Sequence, residues 1–222
     1  MSEQLPAGGI ELSPDDIEAL DARWSSCWAP DEVARRLAGV GVPWYVAGGW
    51  ALDLFHGRRT RTHDDLEIAV PAAAFPVLRD HFRDYVFDAP GKGRLWEDAA
   101  PEALAAVHQT WMREPATGDY LLDVFREPHD GDTWICRRDE RIRFPYRDII
   151  RRTPGGIPYL VPELVLLFKA KHCRPKDQAD FDAAVPTMTA EQRATLADLV
   201  ARAHPGHHWL AELRPTPRSA TD

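Results

Sequence analysis

The chain has 222 residues, 44% of them hydrophobic, and carries 35 acidic against 27 basic side chains for a formal net charge of −8. That length fits one domain with an appendage or two small domains, with ample apolar content for a core, and the negative balance disfavours broad binding to nucleic acid, which needs a basic footprint. No apolar run approaches the roughly 20 residues of a membrane helix, and MSEQLPAGGIELSPDD lacks the basic and apolar regions of a secretory signal.

Residues 1–14 read as a loose tail. SPDDIEALDARW predicts a helix, with Ser13 as N-cap, Pro14 at the first helical position and acidic residues in the first turn. PDEVARRLAGVG predicts a second, with Val33, Leu37 and Val40 at helical spacing and a glycine stop. PWYVAGG reads as a short buried strand and WALDLFHG as a short helix. DLEIAV is the next strand, ended by Pro71. AAAFPVLRDHFR then reads as a helix, DYVFDA as a strand, and residues 89–104 as loop with a short helix. AVHQTWMRE and YLLDVFRE flank the turn-rich PATGD, which predicts an antiparallel hairpin. Residues 128–160 read as irregular chain with short strands, among them IRFPY and IPYLV.

From Pro162 the pattern is helical: PELVLLFKAKHC, KDQADFDAAVP and TAEQRATLADLVARAH, the last capped by Thr189. A proline- and serine-rich tail follows about Leu213, a composition that frays. The predicted class is α+β, a mixed β-sheet with helices followed by a C-terminal helical subdomain. The boundaries are a tail and helix over 1–29, a sheet-bearing domain over 30–158 and the helical subdomain over 159–222. Cys27, Cys136 and Cys173 are odd in number and widely spaced, which fits a reducing cytoplasm rather than a disulfide framework. His204, His207 and His208 show no zinc spacing to a cysteine and read as surface residues.

Asp65 and Glu67 stand two apart on a predicted strand, so both project from one face while Leu66, Ile68 and Val70 take the other. Two like charges on one face repel unless a cation sits between them. A divalent metal resolves that cost, and a solvated edge strand is the plain alternative. Upstream, Gly48 and Gly49 lie where a strand gives way to a helix, so backbone N–H groups can approach a phosphate, although a plain turn also uses such a pair. A phosphate cradle followed by paired carboxylates is the layout for Mg²⁺-assisted nucleotidyl transfer.

The segment GGWALDLFHGRRTRTHDDLEIAV resembles the aminoglycoside and lincosamide O-nucleotidyltransferases of the DNA polymerase β-like nucleotidyltransferase superfamily. The likeness rests on Gly48-Gly49-Trp50, Gly57, Thr60-Arg61-Thr62-His63 and Asp65-Leu66-Glu67. It implies the nucleotidyltransferase fold over residues 30–158 and a third carboxylate on a later strand. Asp123 in YLLDVF fits that place, with a salt bridge to Arg126 or another arginine as its alternative. PELVLLFKAKHCRPKDQADF resembles the segment that follows the catalytic domain in small nucleotidyltransferases. By that resemblance Lys169 would reach the triphosphate, and Arg174, Lys176, Asp177 and Asp180 would orient helices or contact the nucleotide. An exposed charge lattice is the plain reading of Lys171, Lys176 and Asp180. Glu67 stands where Asp is commoner, and Asp64 reads as a cap or a partner for Arg59 or Arg61. His63-Asp64 opens a strand, which disfavours a His-Asp metal phosphohydrolase.

The resemblance implies a Mg²⁺-dependent, cytoplasmic enzyme that moves a nucleoside monophosphate, AMP from ATP, to a hydroxyl of a small molecule such as an aminoglycoside or lincosamide antibiotic. Asp65, Glu67 and Asp123 would be the metal and catalytic set, with Gly48, Gly49, Lys169, Arg61 and His63 on the nucleotide. A toxin-type nucleotidyltransferase acting on tRNA or protein, or a non-catalytic nucleotide-binding module, are the competing readings. The first predicts a basic patch for tRNA, and the second predicts carboxylates that do not converge.

Overall fold

The computed structural model describes residues 5–213. Inside the segment that reads as a tail, Ile10–Glu11 forms an edge strand, β1, of the main sheet. Ser13 caps α1 (Pro14–Ala22) through a reciprocal box: its Oγ accepts the Asp16 N–H at 3.2 Å, and the Asp16 carboxylate accepts the Ser13 N–H at 2.9 Å. α2 (Pro30–Arg36) gives way to a turn at Gly39, φ +82°. β2 (Tyr45–Val46) and α3 (Gly48–His56) follow.

β3 spans Glu67–Pro71, and Asp65 lies in the loop just before it rather than inside the strand. The reason is local. The Asp65 carbonyl accepts from the Trp50 indole N–H at 3.0 Å. α4 (Phe75–His81) and β4 (Val86–Gly91) come next. The stretch expected as loop turns at Lys92–Gly93 and returns as β5 (Arg94–Trp96) before α5 (Pro101–Ala106). Both turn residues have positive φ, 52° and 75°, the pairing a two-residue hairpin turn requires. Lysine in the first place hides that signal.

β6 (Gln109–Arg113) and β7 (Tyr120–Glu127) form the predicted antiparallel hairpin. β8 (His129–Asp130), β9 (Thr133–Ile135) and β10 (Arg143–Pro145) make a separate small antiparallel sheet. α6 (Tyr146–Ile149), β11 (Ile150–Arg152) and β12 (Pro158–Leu160) lead into α7 (Pro162–Lys169), α8 (Pro175–Ala184), α9 (Ala190–Ala203) and α10 (Trp209–Leu213). The tail expected after Leu213 lies outside the described residues.

The main sheet has nine strands in the order β1-β5-β4-β6-β7-β3-β2-β12-β11. It is mixed: β3 runs parallel to β7 and β12 parallel to β2, and the other neighbours are antiparallel. Ile68, Val70, Leu122 and Val124 are fully buried in one core with Phe75, Leu78 and Phe82 of the α4 region. Each such side chain contributes roughly 1.5–3 kcal/mol, enough to hold the polar face of the same strands in place. Backbone bonds from Tyr120 to Arg23 at 2.8 Å and from Trp28 to Leu121 at 2.9 Å seat the segment after α1 on β7. Among the described residues no helix is long and apolar enough to cross a membrane.

Candidate active site

The parallel register of β3 and β7 sets Glu67 opposite Asp123, so their side chains share one face of the sheet. Asp65, two residues earlier, joins them, and one carboxylate oxygen from each of the three lies within 4.8 Å of the others. Asp123 is 1% exposed. Its Oδ2 accepts from Gln109 Nε2 at 2.5 Å, and its Oδ1 has no hydrogen-bond partner among the described residues. The alternative salt bridge to Arg126 does not form. That side chain donates instead to Thr110 Oγ1 at 2.8 Å and to the carbonyls of Leu104, Val107 and Gln109.

Three carboxylates crowded together are costly to ionise. Burial, then the Asp65 charge, push Glu67 up to about 7. Burial, then Glu67 and Asp65, push Asp123 well above the ordinary carboxylate range. Asp65 is raised as well, first by burial and with Asp64 adding to it, while Lys176 opposes. An all-oxygen donor set with a buried, unpartnered oxygen is chemically matched to a hard divalent cation such as Mg²⁺. The residues present fit that group.

The glycine pair has a reason readable from its surroundings. Gly48 has φ +56°, and a Cβ there would run into the Glu67 carboxylate. A Cβ on Gly49 would meet the Arg61 guanidinium and, at 2.7 Å, the His63 ring. The two glycines therefore make room for side chains of the same motif at the start of α3, where the first N–H groups of a helix have no partner within it. Trp50 stacks on His63 with centroids 4.5 Å apart.

Arg61 and His63, expected on the nucleotide, each bind an aspartate within the protein. Arg61 forms a two-pronged pair with Asp180, at 2.9 and 3.1 Å. His63, with a side chain 3% exposed, binds Asp53 at 2.5 Å, and Asp53 also accepts from the Thr60 N–H at 2.9 Å. Burial holds His63 below its usual value against the opposing pull of Asp53. Neither residue lines the cavity above the carboxylates. They lock the loop that delivers Asp65. Asp64 is exposed and reaches Lys176 at 3.9 Å, rather than Arg59 or Arg61.

A cavity of about 290 Å³ opens over this face, lined by Gly48 and Glu67 on one side and by α7, α8 and the chain after β9 on the other. Lys169, Arg137, Arg138 and Arg174 give it a cationic wall. Lys169 Nζ lies 2.8 Å from Asp180 and 3.2 Å from Asp177. Arg137 pairs with Glu127 at 3.2 Å and rests over Phe125 and Phe168. His108 stacks on Phe125 at 5.8 Å, and burial with the neighbouring Arg137 pushes it down to about 3, so its ring is neutral near pH 7. Arg137, Arg138, His108, Gln109 and Asp53 escaped the sequence reading. The arginines sit in irregular chain where no periodicity marks them, and Asp53 reads as one polar residue on a helix.

Residues 31–97 match the aminoglycoside-2''-adenylyltransferase family, a span that contains the Gly48–Val70 segment. No curated protein sequence shows significant similarity to the chain. Among solved structures, the crystal structure of ANT(2")-Ia in complex with adenylyl-2"-tobramycin is similar at 15% identity and a TM-score of 0.51, covering 78% of this chain and 95% of that one. A solution structure of ANT(2'')-Ia gives the same identity and TM-score over 78% and 89% of the two chains. The lincomycin-bound lincosamide antibiotic adenylyltransferase LnuA is 15% identical with a TM-score of 0.49, over 78% and 96%. The chain thus bears the sequence pattern of the aminoglycoside-2''-adenylyltransferase family over residues 31–97 and has the nucleotidyltransferase fold seen in ANT(2'')-Ia.

Proposed function

We propose that the chain transfers AMP from ATP to a hydroxyl of a small molecule, an antibiotic of the aminoglycoside or lincosamide kind, and so confers resistance to it. The observation that carries this reading is the convergence of Asp65, Glu67 and Asp123, the middle one of which lines a cation-walled cavity. A non-catalytic module has no need of that costly cluster, and a net charge of −8 gives no basic footprint for tRNA. The match to the adenylyltransferase family over residues 31–97 and the tobramycin and lincomycin ligands of the structural neighbours agree with it. The cytoplasm suits its three free cysteines.

In the reaction, the acceptor oxygen bonds to the α-phosphorus, the bond from that phosphorus to the β-phosphate oxygen breaks, and pyrophosphate leaves. Asp65, Glu67 and Asp123 would hold Mg²⁺, which when bound supplies charge neutralisation at the triphosphate and lowers the pKa of the attacking hydroxyl. Asp123 takes the hydroxyl proton in its ionised form, the form that a bound divalent cation would favour. The Gly48 and Gly49 amides and Lys169 bind phosphate oxygens, and Arg138 and Arg174 add positive charge on the same wall. Arg61 and His63 act as positioning residues, through Asp180 and Asp53.

Purified protein incubated with Mg²⁺, each of the four NTPs and a panel of aminoglycosides, lincosamides and tRNA tests the reading. Acceptor-dependent pyrophosphate release with ATP and an antibiotic, lost in Asp123→Asn, is the expected result. Release only with tRNA would overturn the acceptor assignment. No release, with no thermal shift from any Mg²⁺–NTP pair, would overturn the enzyme.

A further inference from the structure

The loop between α7 and α8 carries Cys173, and the fold brings it against His207 and His208 ahead of α10, a juxtaposition that sequence spacing hides. One ligand atom from each of the three lies within 4.8 Å of the others. Cys173 Sγ is 3.8 Å from His208 Nε2. Zn–S and Zn–N bonds of about 2.3 and 2.0 Å set sulfur and nitrogen about 3.5 Å apart across a tetrahedral edge, so this pair is already near bonding geometry. The Gln178 amide oxygen is 2.9 Å from His208 Nε2 and 3.7 Å from Cys173 Sγ.

That oxygen is aimed, not adventitious. Gln178 Nε2 donates to Asp182 at 2.7 Å, and Gln178 Oε1 accepts from the Trp209 indole at 2.7 Å, which together fix the amide's orientation. Trp209 is itself pinned by stacking on Phe181 at 4.2 Å. His207 Nδ1 accepts the Trp209 backbone N–H at 3.2 Å, at the long end of the hydrogen-bond range. Cys173 is held at φ +43°, a conformation that a non-glycine residue rarely adopts.

We propose that Cys173, His207 and His208, with the Gln178 amide oxygen, form a second metal site for a borderline divalent ion such as Zn²⁺. A sulfur–imidazole set selects that class over Mg²⁺, whereas the carboxylate cluster suits a hard ion, so the two sites differ in the metal each favours. Binding deprotonates the Cys173 thiol and releases the proton to solvent. It ties the α7–α8 loop to α10. Lys169 closes α7 and Arg174 caps α8 on either side of Cys173, so the bound ion would brace the cationic wall of the cavity.

Metal-stripped full-length protein titrated with Co²⁺ tests this, because a thiolate ligand gives a sulfur-to-cobalt charge-transfer band that carboxylates do not. The band should appear in the wild-type chain and in Cys27→Ser and Asp123→Asn, bleach on adding Zn²⁺, and vanish in Cys173→Ser. His208→Ala should weaken Co²⁺ binding at least about tenfold by removing one ligand. If Cys173→Ser folds poorly, Zn²⁺-dependent thermal stabilisation of the wild type and its loss in His208→Ala give an independent reading. No band, a band that survives in Cys173→Ser, or a band lost in Asp123→Asn overturns the site.

Discussion

Two groups of carboxylates flank one cavity, which Glu67 lines from the sheet and Asp177 from α8, and they are treated in opposite ways. Asp177 and Asp180 on α8 are neutralised: Lys169 bridges both, Arg61 grips Asp180 with two bonds and Arg174 grips Asp177 at 2.8 Å. Burial alone would raise these acids, but Arg61 and Lys169 hold Asp180 below its ordinary value, and Arg174 and Lys169 do the same for Asp177. Among the described residues no cation pairs with Asp65, Glu67 or Asp123, and burial pushes all three upward. The difference teaches how to separate scaffold from chemistry. Where a buried acid is fully paired, its charge serves the fold. Where a cluster is left short of positive charge, it is a candidate site for a cation that comes from outside.

The contrast breaks if the two groups respond alike to losing one charge. Asp180→Asn strips the shared partner from Arg61 and Lys169. It should destabilise the protein by roughly 3 kcal/mol, the low end for a broken buried pair because Arg61 is 24% exposed. A denaturant midpoint at unchanged m-value reads this directly. Asp123→Asn should leave the metal-free protein as stable or more so, since it relieves repulsion from Glu67 and Asp65, yet lower turnover by at least about 10²-fold. Loss of stability with near-normal turnover in that variant would place Asp123 with the scaffold.

Gly48→Ala probes the junction between the two. An L-residue at φ +56° costs about 1–2 kcal/mol. The new methyl would also displace the Glu67 carboxylate, so activity should fall beyond what a melting curve accounts for. Equal small losses in both would mean the close approach to Glu67 is unimportant.

The mildest effect is in pH. Glu67 has a folded pKa raised from 4.5 to about 7, so the fold favours its protonated form. Its contribution is therefore fully present below about pH 4.5 and is lost as pH rises through about 7. Melts of metal-free protein between pH 5 and 8 should show that decline, and Mg²⁺ should flatten it by binding the ionised cluster. A decline that Mg²⁺ leaves untouched would detach Glu67 from any metal role.

Much of this was legible in the residues. Period-two alternation in DLEIAV and YLLDVF separates an apolar face from an acidic one, and the same alternation buries Ile68, Val70, Leu122 and Val124 in the structure. The caps at Ser13 and Thr189 work as their side chains predict, because capping is decided within three residues. The hairpin through Lys92–Gly93 and the edge strand at Ile10–Glu11 were not legible. The first lacks the usual turn dipeptide, and a two-residue strand has no period to detect.

By itself, the sequence determined the α+β organisation, the order of the motif residues and the pairing of Asp65 with Glu67, since each depends on neighbours close along the chain. Only the tertiary structure decided what each charge does. It set Asp123 opposite Glu67 through a parallel pairing of strands more than fifty residues apart in the chain. It gave Arg61 to Asp180 and His63 to Asp53, and it carried Arg137 and Arg138 into the cavity. It also joined Cys173 to His208. The physical reason is range: backbone preference acts over a few residues, whereas the energy of a buried charge is set by whatever the fold places within a few ångströms.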